Sequence, residues 1–246
     1  MDTSYWIQYN PKITVEHTVK KYFSQYLYRL CVYAPGARSI NSKRSIRDDI
    51  DVRKYLSENI GLYTGTWIYG KTFQDPLKDV DFDLLEILQQ IKQQDKSLSI
   101  KCRIEEPRLQ IYAESEDTLK HIVDTYLLDK PLYVESITGP QDNNAIDVLN
   151  AGGIIRKIDL GYRYKVLLHD GRYSVETKTS ILNYLNNLGK DTVRIPTGPK
   201  RGLSSTNGFL WNCYYYTNDL GINSFIHLIA PGAISNYHEL VVMPNK

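Results

Sequence analysis

Two stretches of the chain carry the same pattern of apolar and polar positions. In the first, Ile100, Cys102 and Ile104 alternate with Lys101 and Arg103, and Leu109, Ile111 and Ala113 alternate with Arg108, Gln110 and Tyr112. Alternation with period two is that of a strand with one buried face, and Glu105-Glu106-Pro107 breaks the run into a hairpin. A helix is predicted next: Ser115 caps it, Glu116 and Asp117 suit its positive end, and Leu119, Ile122, Val123 and Tyr126 fall at i, i+3, i+4, i+7. Pro131 precedes a last strand over 132–137.

The second stretch repeats this with different residues. Val193 and Ile195 flank Arg194, a Gly/Pro/Ser loop follows, and 209–216 reads as a dense aromatic strand. Asn218 or Asp219 caps a helix carrying Ile222, Phe225, Ile226 and Ile229, Pro231-Gly232 stops it, and 237–242 closes the unit. A strand and helix stand ahead of each copy. They are 26–33 and 81–92 (Leu84, Leu85, Leu88, Ile91) for the first, and 162–168 and a Ser174-capped helix (Ile181, Leu182, Leu185, Leu188) for the second.

The expected fold is therefore α+β, with two tandem ferredoxin-like (βαββαβ, RRM-like) domains. The expected bounds are an N-terminal arm or short helix, 1–24, anchored by Trp6 and Phe23; domain 1, 25–138; a linker, 139–160; and domain 2, 161–246. An insert in domain 1, 35–79, is too long for a plain connection and is expected to hold a helix over 45–58 and a strand over 62–69.

Chemical motifs narrow the function by exclusion. No Walker loop or Rossmann glycine pattern occurs, and Gly198-Pro199-Lys200-Arg201-Gly202 lacks the phosphate-loop spacing. Asp79, Asp81 and Asp83 start like a calcium loop, but Leu84 stands where glycine is needed, so they read as a helix cap. The five histidines form no metal-spaced pair, and no nucleophile elbow links a serine to a base. No cofactor, metal site, catalytic residue or membrane span is expected. Cys31, Cys102 and Cys213 lie far apart in strand patterns, as reduced thiols of a cytoplasmic protein, or of a virion component if the chain is viral.

Formal charge is only +2, which excludes coating duplex DNA by charge alone. Tyrosine is the outlier, with 20 against 5 phenylalanines. With helices on one sheet face, the strand residues out of phase with the apolar set share the other. In domain 1 these are Lys101, Arg103, Arg108, Gln110, Tyr112 and Tyr133, with Arg29 if the first strand is phased that way; in domain 2 they are Arg163, Lys165 and Arg194. Cations among flat rings suit single-stranded nucleic acid, whose phosphates meet charge and whose bases stack. Lys200 and Arg201 add a mobile basic loop over 196–207. On this reading, changing Arg103 and Arg108 together to Glu abolishes binding and spares the fold.

Gly208-Phe209-Leu210-Trp211-Asn212-Cys213-Tyr214 resembles the central motif of RNA-recognition modules over about eight residues, with Asn207 in place of the leading basic residue. An aromatic strand buried against a neighbour would look the same, so Trp211, Tyr214, Tyr215 and Tyr216 are equally interface candidates for an assembly subunit, for example of a virus particle, forming a homo-oligomer or binding protein partners. Tandem ferredoxin-like domains of this size also resemble the metal-independent RNA-processing endonucleases of CRISPR systems, which implies catalysis involving His17 or His169. The glycine-rich loop of that family falls where this chain has only Pro231-Gly232-Ala233.

Overall fold

Strand and helix spacing set the architecture of two mixed α+β units, Met1–Ile146 and Asp147–Lys246. The computed structural model describes residues 1–37, 40, 80–105 and 107–243. The helix and strand expected within 41–79 lie outside the described residues.

The first unit runs α1 (Thr3–Tyr9), β1 (Thr14–His17), β2 (Tyr28–Tyr33), α2 (Phe82–Gln93), β3 (Ile100–Glu105), β4 (Arg108–Ala113), α3 (Glu116–Tyr126) and β5 (Val134–Gly139). Its sheet has the order β1-β5-β2-β4-β3, antiparallel except for the parallel pair β1/β5. Asp81 accepts a hydrogen bond from the Leu84 N–H at 2.9 Å and Ser115 from that of Thr118 at 3.2 Å, so the expected caps start α2 and α3. Leu84, Leu85, Leu88 and Ile91 of α2 and Leu119, Ile122 and Val123 of α3 are buried with Leu30, Val32, Leu109, Ile111 and Ile137 of the sheet. Each such side chain contributes roughly 1.5–3 kcal/mol.

Residues 1–24 hold the expected short helix, α1, and are packed into the unit rather than standing off as an arm. Trp6 is fully buried and donates its indole N–H to Glu116 at 2.9 Å, while β1 pairs with β5. Four-residue β1 is too short to show a period, so no alternation announces it. Phe23 is not an anchor in the core, being 44% exposed. The last strand begins at Val134, because Pro131–Tyr133 forms a 3-10 turn instead.

Next come α4 (Asn143–Asn150) and β6 (Ile154–Arg156), inside the stretch expected to be a linker; the division between the units falls within α4. The second unit continues with β7 (Tyr164–Leu168), β8 (Gly171–Arg172), α5 (Val175–Asn187), β9 (Val193–Arg194), α6 (Thr197–Ser204), β10 (Phe209–Leu210), β11 (Tyr214–Thr217), α7 (Asn223–Ile229) and β12 (Ile234–Val242). Its main sheet has the order β6-β12-β7-β11-β9, again antiparallel except at the edge pair β6/β12, and β8 and β10 form a separate ribbon. The two units thus share one strand order, and the repeat starts a helix and a strand earlier than the periodicity shows.

Three local differences matter for the site. The loop expected over 196–207 contains α6: Pro199 lies in its first turn, where the missing N–H has no helical partner to lose, and Pro199 and Leu203 are buried. The expected strand 209–216 breaks in two. Asn212 turns left-handed at φ 48°, its N–H held by Asp170 at 2.6 Å, so the RNA-recognition-like motif is split between β10, paired with β8, and β11, paired with β7 and β9. Finally, the helix expected from Ile222 begins as a 3-10 turn, Leu220–Ile222, capped by Asp219. Ile222 and Ile226, four residues apart, are buried, while Phe225 at the margin of the stripe is 58% exposed.

The second core gathers Val166, Leu168, Ile181, Leu185, Val193, Leu210 and Tyr215. Lys178 of α5 is also fully buried, and its ammonium donates to the carbonyls of Ser205 and Asn207, pinning the segment after α6.

Candidate functional site

Strand register fixes which side chains share a face. Across the first sheet, Glu16, Thr138, Arg29, Tyr112 and Lys101 form one row; Thr14, Ser136, Cys31, Gln110 and Arg103 form the next; Tyr33, Arg108 and Glu105 a third. Arg29, Lys101, Arg103, Arg108, Gln110 and Tyr112 therefore lie together. Tyr133 does not: it sits in the 3-10 turn beside Asp81 and Lys130.

The arginines of this face are paired. Arg29 meets Glu16 at 3.3 Å and Thr138 at 2.9 Å, and Arg103 meets Glu105 at 2.9 Å. Arg108 grips Glu135 with two hydrogen bonds, of 2.5 and 3.2 Å. That bond raises the Arg108 pKa, chiefly by favouring its charged form. The ladder shifts register between Cys31 and Val32, which leaves Glu135 between the paired residues Val134 and Ser136.

Tyr112 is not an open platform. Residues 18–26 form a strap closed by a Tyr22/Tyr26 bridge, with Phe23 and Ser24 left-handed at φ 51° and 61°. The Tyr22 and Phe23 rings lie 5.1 and 5.0 Å from the Tyr112 ring, the Lys101 ammonium lies 3.7 Å from the centre of Phe23, and the Arg29 guanidinium 5.5 Å from that of Tyr22. Burial is the main reason the Tyr112 phenol is pushed up. At this end the face is occupied by the chain itself.

In the second sheet, His238, Lys165, Tyr216 and Arg194 form one row and Asn236, Leu167 and Tyr214 the next, so neither row holds a carboxylate. The Lys165 ammonium lies 3.9 Å from the centre of the Tyr214 ring, and Tyr214 and Tyr216 meet edge to face at 5.6 Å. Tyr162 stacks on Tyr216 at 6.3 Å and 27°. Burial pushes the Tyr216 phenol up, opposed by Arg156 and Arg194 nearby. His238 donates from Nδ1 to the Gly152 carbonyl at 2.8 Å. Sequence reasoning misses Arg156, which lies on the short strand β6, Tyr162, which precedes β7, and His238, which lies mid-β12 after a register shift between Ile234 and Asn236 that breaks the alternation.

The remaining candidates scatter. Arg163 is paired with Glu239 at 3.0 Å. Tyr215 is no interface residue: it is 1% exposed, in the core, and donates to Asn223 at 2.5 Å. Lys200 and Arg201 are exposed, on α6 and not on a mobile loop. Trp211 is 70% exposed beside Phe209 at 4.9 Å. His17 is on β1 and His169 follows β7, in different units.

Among the described residues no group of three or more His, Cys, Asp or Glu side chains is placed to hold a metal ion. Nor is any described helix long and apolar enough to cross a membrane. Compared with known proteins, the chain matches no family model, no curated protein and no solved structure.

Proposed function

We propose that the chain is a pair of ferredoxin-like βαββαβ domains, each extended by a parallel edge strand, and that the second binds single-stranded nucleic acid without catalysis. The fold reading rests on the orders β5-β2-β4-β3 and β12-β7-β11-β9, which both place the last strand beside the first and the third beside the second. The observation that carries the binding reading is the juxtaposition on one face: Lys165, Tyr216 and Arg194 share a row, Tyr214 stands in the next, and the Lys165 ammonium lies over the Tyr214 ring. Rings give sequence-tolerant stacking and cations give phosphate contacts.

The test is fluorescence anisotropy with a labelled single strand at several salt concentrations. Binding should weaken with salt, and each phosphate-binding cation removed by mutation should flatten the slope of log K against log salt by about 0.7. Lys165→Glu with Arg194→Glu should abolish binding in a folded protein; unaltered affinity in that variant would remove the reading.

An assembly subunit is the second reading, favoured by one feature. Phe225 and Leu228 of α7 are 58% and 78% exposed, an apolar pair on one short helix. Light scattering that shows a defined oligomer without nucleic acid, dispersed by Phe225→Asp with Leu228→Asp, would favour it.

A further inference from the structure

Beside the edge strand β9 the second unit has a cavity of about 430 Å³, within the range usual for small-ligand sites. Three cations line it from three successive segments: Lys190 from the turn after α5, Arg194 from β9 and Lys200 from the first turn of α6. No carboxylate is among its lining residues. Leu185, Val193 and Ile195 supply apolar wall, and the Tyr162 ring closes one side, fixed by its hydroxyl, which donates to the Lys190 carbonyl.

The geometry points to a site for a nucleotide bearing a terminal phosphomonoester. Apolar wall and a tyrosine ring suit a base, and the cations suit phosphate. Their number selects the kind of phosphate. An internal phosphodiester carries one negative charge, whereas a phosphomonoester at neutral pH carries about 1.5 to 2. Three cations without a carboxylate match the monoester better. The cavity is also continuous with the binding face, since Arg194 belongs to the row of Tyr216 and Tyr162 stacks on Tyr216. This inference rests on the proposed single-strand binding: a strand laid along the face would place its phosphorylated end in the cavity.

The experiment compares otherwise identical labelled strands with a 5′-phosphate, a 3′-phosphate or neither, on the whole protein and on Lys190→Ala with Lys200→Ala, whose folding is checked by thermal melting. One phosphorylated end should bind about tenfold tighter than the unphosphorylated strand, and the double variant should bring that ratio to about one. Equal affinity for all three strands, or a preference that survives the double variant, overturns the inference while leaving strand binding intact. Should no strand bind, the proposed function fails and adenosine 5′-monophosphate decides the cavity alone. Saturable binding abolished in the double variant upholds a nucleotide site; no binding overturns it.

Discussion

At the scale of single residues, Lys178 is the least ordinary. Its ammonium is the donor that holds the Ser205 and Asn207 carbonyls, so Lys178→Met keeps the apolar stem and loses the pin. The variant should cost about 1–3 kcal/mol in urea unfolding, with faster amide exchange at 205–208. Cys213 gives a pH prediction. Burial pushes its thiol from the ordinary value of 9.0 up to about 12, so the folded state keeps a proton that the unfolded state releases first. The stability this gives is complete below pH 9 and is lost as pH rises toward 12, at up to about 1.4 kcal/mol per pH unit. Urea titrations at pH 8.5 and 10.5 should show a larger loss in the native protein than in Cys213→Ala. Residue phase was legible from sequence: the alternation of Lys101, Arg103 and Arg108 placed them on one face. The pairing of Arg29 and Arg108 was not, because Glu16, which meets Arg29, lies on a strand too short to detect and Glu135, which meets Arg108, enters through a register shift that no local pattern signals.

Among elements, the long helices and the short α7 were legible, whereas α4 and α6 were not. Leucines at helical spacing and a capping serine or aspartate marked α2, α3 and α5, whereas the glycines and proline of α6 read as a loop. That difference is testable at Gly198. It lies in the first turn of α6 with no neighbouring atom within 4 Å of an added Cβ. Gly198→Ala should therefore raise stability by about 0.4–1 kcal/mol by restricting the unfolded chain; a loss in thermal or urea melting would argue against the helix. The split of the aromatic strand has the same origin: a left-handed Asn212 held by a distant Asp170 is a tertiary decision, invisible in a run of Phe, Leu, Trp and Tyr.

For the whole molecule, net charge of +2 conceals an uneven distribution between two sheets of the same order. The ion pairs change the expectation for the first sheet. Arg103→Glu with Arg108→Glu should leave strand affinity nearly unchanged, because both guanidiniums are already held by glutamates. Lys165→Glu with Arg194→Glu should remove binding; anisotropy titrations of both variants at one salt concentration read the contrast. The α+β class and the repeat were legible because periodicity is local, while the extra parallel edge strands join chain ends that no local pattern connects. Those edge strands also set an order of events in time. β1 is made first, yet its only ladder partner among the described residues is β5, the last strand of the unit, and β6 stands in the same relation to β12. Loop closure must be met before such a pairing helps, so we expect each sheet to start from its local inner pairings and to admit its earliest strand late. Ile13, buried just ahead of β1, reports this step: in stopped-flow measurements Ile13→Ala should speed unfolding and leave the refolding rate nearly unchanged. Until the final strand of a unit leaves the ribosome, the segment that began it has nowhere to go.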